Sequence, residues 1–231
     1  MPIRLLGTAR TSRFRPASVL LILAALFAAP LAGSADAQAA AGRRPGHVYL
    51  FRGIFNVFSL GMDQIAYKLE AAGEGTTVAN HTTWSSVADD VIAQYRAGNR
   101  EPIILMGHSA GADATISVAR KLAAQNIPVA LIVNFDPVSP DPVPNNVKQI
   151  VNYYVPAGWG QAVAPADARY KGKIANVDES STTNHFSVDK DDGLQRQAIA
   201  RALAAAGGGS GHRKSIRSAK SKGAQASAAP Q

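Results

Sequence analysis

Apolar and polar positions follow two alternating regimes along the middle of the chain. HVYLF (47–51), PIILMG (102–107) and VALIVNF (129–135) are short, nearly unbroken apolar runs. Runs of that length, bounded by Gly, Pro or polar residues, predict strands buried on both faces. TTVAN (76–80), QIVNYYV (149–155) and KIANV (173–177) predict three more. Between these runs the period lengthens to that of a helix. Met62, Ile65, Ala66 and Leu69 recur at i, i+3, i+4 and i+7 after a capping Ser59. Val87, Val91, Ile92 and Tyr95 share one face of a stretch from 86 to 97, with Ser86 and Asp89 spaced as a capping pair. Further helices are predicted over 110–125 and 194–205. Strands alternating with helices give the α/β class, a three-layer α/β/α sandwich around a mostly parallel sheet. Pro137, Pro140, Pro142 and Pro144 exclude a helix from the connection between the fourth and fifth strands. No connection is long enough to hold a cap domain with its own core, so a cleft at the strand ends is expected to be open.

The ends change this picture. Of 231 residues, 46% are hydrophobic and 17% charged, which suits one globular domain. Arg4, Arg10, Arg13 and Arg15 precede an apolar run from 17 to 31, and small-x-small sites follow at 35–37 and 37–39. That order predicts a cleaved export signal, because the run falls short of the roughly 20 residues a spanning helix needs. Residues 1–37 are read as a signal peptide, 38–46 as a short linker, 47–206 as the folded α/β domain and 207–231 as a disordered basic tail. The expected location is periplasmic or secreted. The net charge of +8 divides into +3 in the leader and +5 in the tail, which carries Arg213, Lys214, Arg217, Lys220 and Lys222. The domain between is electrically balanced, so its charge implies no specific nucleic-acid partner. The tail suits only weak contact with anionic envelope surfaces. With no cysteine, disulfides, thiolate metal sites and a cysteine nucleophile are excluded.

The sharpest chemical signal is Gly107-His108-Ser109-Ala110-Gly111, at the junction of a predicted strand and a predicted helix. Two glycines let strand and helix approach closely, and the serine between them is held out on a tight turn at a helix N-terminus. A serine hydroxyl needs an imidazole to take its proton and a carboxylate to orient that imidazole. Among five histidines, His47 begins a strand, His108 lies within the corner and His212 lies in the tail, leaving His81 and His185. Asp136, Asp141 and Asp167 are the candidate acids. Arg52-Gly53, Asn80-His81, Ser109, Asp136 and His185 each follow the carboxyl end of a predicted strand. In a parallel sheet they therefore gather on one rim, where open α/β sheets bind ligands. No G-x-G-x-x-G, P-loop or metal-ligand cluster calls for a cofactor or a metal.

The strand, the GHSAG corner and the following helix resemble the α/β-hydrolase superfamily, in particular its small lipase, esterase and thioesterase members. The resemblance covers 47–206. It implies the order nucleophile, acid, then histidine after the final strand, which selects Ser109, Asp136 and His185. Members more often carry the acid after the next strand, but that strand ends here in YYVPAGWG, without a carboxylate, and some lipases use the earlier position. Asp141 is the fallback and Asp167 the third choice. The resemblance also implies an oxyanion hole from the backbone N–H groups of Ala110 and Ile54. Many lipases have His-Gly where this chain has Arg52-Gly53. Arg52, Gly53, His81 and Trp159 are the expected substrate-contacting residues, with Trp159 and Tyr170 in a segment (156–173) long enough for a small aromatic flap. The implied protein is an exported, monomeric serine hydrolase that cleaves small-molecule or lipid carboxylic esters or thioesters through an acyl-enzyme on Ser109. The alternative is a catalytically silent binding protein of the cell envelope on the same fold.

Overall fold

In the computed structural model, which describes residues 45–54 and 56–207, the apolar runs form one six-stranded sheet. The expected signal peptide, most of the linker and residues 208–231 lie outside the described residues. The strands are β1 (His47–Arg52), β2 (Gly75–Asn80), β3 (Ile103–His108), β4 (Leu131–Phe135), β5 (Gln149–Tyr154) and β6 (Lys173–Asp178). All five pairings are parallel, in the order β2-β1-β3-β4-β5-β6. The helices are α1 (Leu60–Ala71), α2 (Trp84–Arg96), α3 (Ala110–Ala123) and α4 (Asp192–Ala205). This is the three-layer α/β arrangement that the alternation predicts.

The central strands are apolar throughout because each of their faces has its own core. Tyr49, Phe51, Ile103 and Leu105 pack with Val91 and Ile92 of α2 and with Ile116 and Leu122 of α3. Their neighbours Val48, Leu50, Ile104 and Met106 point the other way, against Met62, Ile65 and Leu69 of α1 and Ala198 and Ala202 of α4. The edge strands β2 and β6 are only partly covered. The proline-rich connection between β4 and β5 holds no helix, and Val129 and Val147 join across its base in an isolated parallel bridge.

Two local expectations are corrected. α2 begins at Trp84, two residues before the predicted cap. The Ser86 hydroxyl bonds the Thr83 carbonyl instead, and Asp89 pairs with Lys121 at 2.8 Å. Ser59 does precede α1, but its side chain makes no cap bond. Its hydroxyl serves His108 and Gly53, in an arrangement described below.

Strand order places the site. The chain moves outward from β1 to β2, then crosses back to β3 on the other side of β1. Loops leaving β1 and β3 therefore diverge above adjacent strands and open a crevice at the carboxyl edge. At the opposite edge the domain's two ends meet. A β carbon added to Gly46, just before β1, would lie 2.7 Å from Cβ of Ala206, just after α4.

Candidate active site

Ser109 sits in the crevice at φ 58° and ψ −131°, a left-handed conformation that a residue with a side chain adopts at a cost. The surroundings enforce it. Its N–H donates to the Phe135 carbonyl at 2.9 Å, and its carbonyl accepts from Ala112 at 2.8 Å as α3 begins. Gly107 and Gly111 make this possible. A β carbon on Gly107 would come within 2.2 Å of the Gly111 carbonyl oxygen, and one on Gly111 within 2.1 Å of the Phe51 carbonyl oxygen.

Asp136 follows β4 with φ 55° and is fully buried. Its Oδ2 lies 2.6 Å from Nδ1 of His185, and its Oδ1 accepts the Val155 N–H at 2.6 Å. Burial leaves the carboxylate no water, so these two donors fix its plane and aim one oxygen at the imidazole. The loop after β5 closes over it at Gly160, where any β carbon would overlap Oδ1. His185 is buried beneath Trp159 and Phe186, with ring centroids 4.8 and 5.4 Å away.

Ser109 and His185 line one cavity of about 870 Å³, together with Gly53, Ile54, Phe58, Val138, Trp159 and Phe186. The other sequence-predicted residues divide. Of the two oxyanion candidates, Ile54 borders the cavity, whereas Ala110 is the first residue of α3, directly after cavity-lining Ser109. Gly53 and Trp159 line it. Arg52 does not: its guanidinium forks onto Asp63, with Nε 2.8 Å from Oδ2. That pairing holds the Asp63 carboxyl below its ordinary range. His81 also stands apart, in a short turn after β2 with its Nδ1 buried. Neither alternative acid is near the imidazole. Asp141 pairs with Arg120 at 2.9 Å, and Asp167 is held by Arg169 and Asn145.

Sequence reasoning set His108 aside, yet it is buried at the centre of the site. Its Nε2 lies 2.7 Å from the His185 carbonyl, which can only accept, so Nε2 carries the proton. Nδ1 therefore accepts from the Ser59 hydroxyl at 2.8 Å, and Ser59 Oγ in turn accepts the Gly53 N–H at 2.9 Å. Burial pushes the His108 pKa below its ordinary value, against the opposing pull of Asp189. A neutral imidazole thus joins the loop after β1 to the loop carrying His185. The Gly53 N–H is thus engaged by Ser59 rather than free for the cavity.

Lys190 adds a second tie. Its ammonium donates to the Phe58 carbonyl at 2.6 Å, the Phe186 carbonyl at 2.7 Å and Asp189 at 3.0 Å. The only signal for either tie in the sequence was their position beside recognised motifs.

The thioesterase domain family matches residues 52–149, a span that includes Ser109 and Asp136 and stops before His185. None of the curated proteins compared with the chain matches it. Among solved structures, a cutinase-like protein from Cryptococcus sp. is 18% identical with a TM-score of 0.48, covering 71% of this chain and 96% of its own. An acetylxylan esterase is 12% identical with a TM-score of 0.43, covering 71% and 99%. The RedJ thioesterase of the prodiginine pathway in Streptomyces coelicolor is 12% identical with a TM-score of 0.44, covering 71% and 92%. The chain has a three-layer α/β fold around an all-parallel six-stranded sheet and, from residue 52 to 149, is similar to the thioesterase domain.

Proposed function

We propose that the protein is a serine hydrolase of carboxylic esters or thioesters. The observation that carries this reading is the 2.6 Å pair of His185 Nδ1 with buried Asp136, in a cavity that Ser109 also lines from a strained corner. The similarity to the thioesterase domain supports the same reaction class. Ser109 Oγ attacks the acyl carbon while His185 Nε2 takes its proton, and Asp136 holds the imidazole in the tautomer that leaves Nε2 free to accept. The Ala110 and Ile54 N–H groups face the developing oxyanion. The leaving alcohol or thiol departs with the proton from His185, and water then releases the acid by the reverse sequence. The basic and apolar leader supports export to the periplasm or medium, which the mass of the mature N-terminus tests.

The test is turnover of p-nitrophenyl esters and acyl thioesters, with labelling by a fluorophosphonate probe. Ser109→Ala is expected to lose the label and at least about 10³-fold in rate while staying folded. His185→Ala should cost about as much, and the double variant little more, because these residues act as a unit. Asp136→Asn should fall by about 10⁴-fold through a misoriented imidazole. Near wild-type turnover in Ser109→Ala overturns the reading. An unlabelled but folded wild type favours a silent binding protein.

A further inference from the structure

The seven exposed large apolar side chains among the described residues are not scattered. Ile54, Phe58, Trp159 and Phe186 line the cavity, and Val57 and Leu60 flank Phe58 in the chain; only Tyr67 stands apart. The six are between 47% and 65% exposed. Isolated exposed apolar residues are ordinary, but four lining one cavity, with two more beside one of them in the chain, are not. The aromatic members touch, with Phe58 5.4 Å and Trp159 5.8 Å from Phe186. The backbone beneath is tied down, since Lys190 bonds the carbonyls of both Phe58 and Phe186. This apolar collar is built into the site.

The charges tell against another class of substrate. No Lys, Arg, Asp or Glu lines the cavity among the described residues. The cations closest in the chain to its lining are already engaged, Arg52 by Asp63 and Lys190 by Asp189 and two carbonyls. A phosphorylated carrier, such as a coenzyme A or a phosphopantetheine arm, would bring its anions to a lining that, among the described residues, holds no cation and whose nearest cations in the chain are already paired.

Resting on the hydrolase reading above, we propose that the substrate is an uncharged ester presented at an apolar surface, a lipid aggregate or solid polyester that the collar grips, rather than a phosphorylated acyl carrier. Matched butyryl substrates test the charge argument. kcat/KM for S-butyryl-N-acetylcysteamine is expected to exceed that for butyryl-coenzyme A by about tenfold or more, and equal or reversed values overturn the proposal. Adsorption to polycaprolactone film tests the collar and needs no turnover, so it is measured on Ser109→Ala. Adding Val57→Ser and Leu60→Ser should weaken adsorption about tenfold. In the active chain the same pair should lower the ratio of film to soluble-ester hydrolysis comparably. Unchanged adsorption overturns the proposal, as does sedimentation of a dimer that the same substitutions dissociate, which would assign the collar to a second copy. Failure of Ser109 labelling sinks the hydrolase reading alone, because adsorption still decides the collar.

Discussion

His108 shows how one side chain supports a site without touching the reacting atoms. It donates to the backbone of the His185 loop and accepts from the serine that holds the Gly53 loop. His108→Leu leaves the buried His185 carbonyl without its donor and the buried Ser59 hydroxyl proton without an acceptor, each loss worth about 1–3 kcal/mol. We expect lower stability in urea and a fall in kcat with little change in KM. His108→Gln, which retains a donor and an acceptor, should recover most of both. Its titration gives a pH signature. The unfolded chain takes up a proton below about pH 6.5. The folded protein resists because burial lowers the His108 pKa, so stability is full above that pH and falls on acidification. Asp113 works in the opposite sense. Burial raises its carboxyl to about 6, even though both oxygens lie 3.1 Å from the Ser139 N–H. Its contribution is present below the ordinary carboxylate range and is lost as pH rises through about 6, on the order of 1–3 kcal/mol. Asp113→Asn should flatten one slope of the pH–stability curve and His108→Gln the other. Ser109, Asp136 and His185 could be picked out as candidates because each follows a recognisable strand. His108 could not, because its partners lie 49 and 77 residues away and no local pattern announces them.

Among the elements, the corner between β3 and α3 permits the least change. Overpacking usually costs about 1–3 kcal/mol because neighbours can shift. At Gly111 the obstruction is the backbone of β1, a central strand, at 2.1 Å. Gly111→Ala is therefore expected to reach or exceed the top of that range in chemical denaturation, and to lose activity with stability. The loop after β5 is the element whose behaviour differs most from the sequence expectation. Its length and its two aromatics suggested a flap. Instead Gln161 bonds the Pro137 and Val138 carbonyls, Asn152 holds the Gln161 carbonyl, and Asn176 bonds both ways with Val163. Trp159 is thereby fixed over His185, while Tyr170 turns away to pack against the core beneath α2 and α3. The strands and helices were legible from period alone, since two cores demand apolar residues on both faces of β1 and β3. Loop conformation was not, because it rests on Asn152 and Asn176, strand side chains whose bonds to Gln161 and Val163 of the loop no local pattern announces.

At the scale of the described domain, the parallel sheet gathers Ser109, Asp136 and His185 at one edge and leaves the other edge to the domain's first and last described residues. Gly46 and Ala206 are in contact there, and Gly207 comes close to Pro45. Joining these ends with a short linker and reopening the chain at the exposed turn of Gly98 to Arg100 should give a permuted protein with the same fold. Circular dichroism and a thermal melt check this, and a molten or aggregated product would count against it. The same adjacency governs how the molecule can be immobilised. A bead or a display scaffold joined directly at Gly46 or Gly207 attaches on the face remote from the mouth, so a copy tethered there points its cavity away from its support. Attachment through the loop after β1 or after β5 would turn that cavity toward the support and smother it.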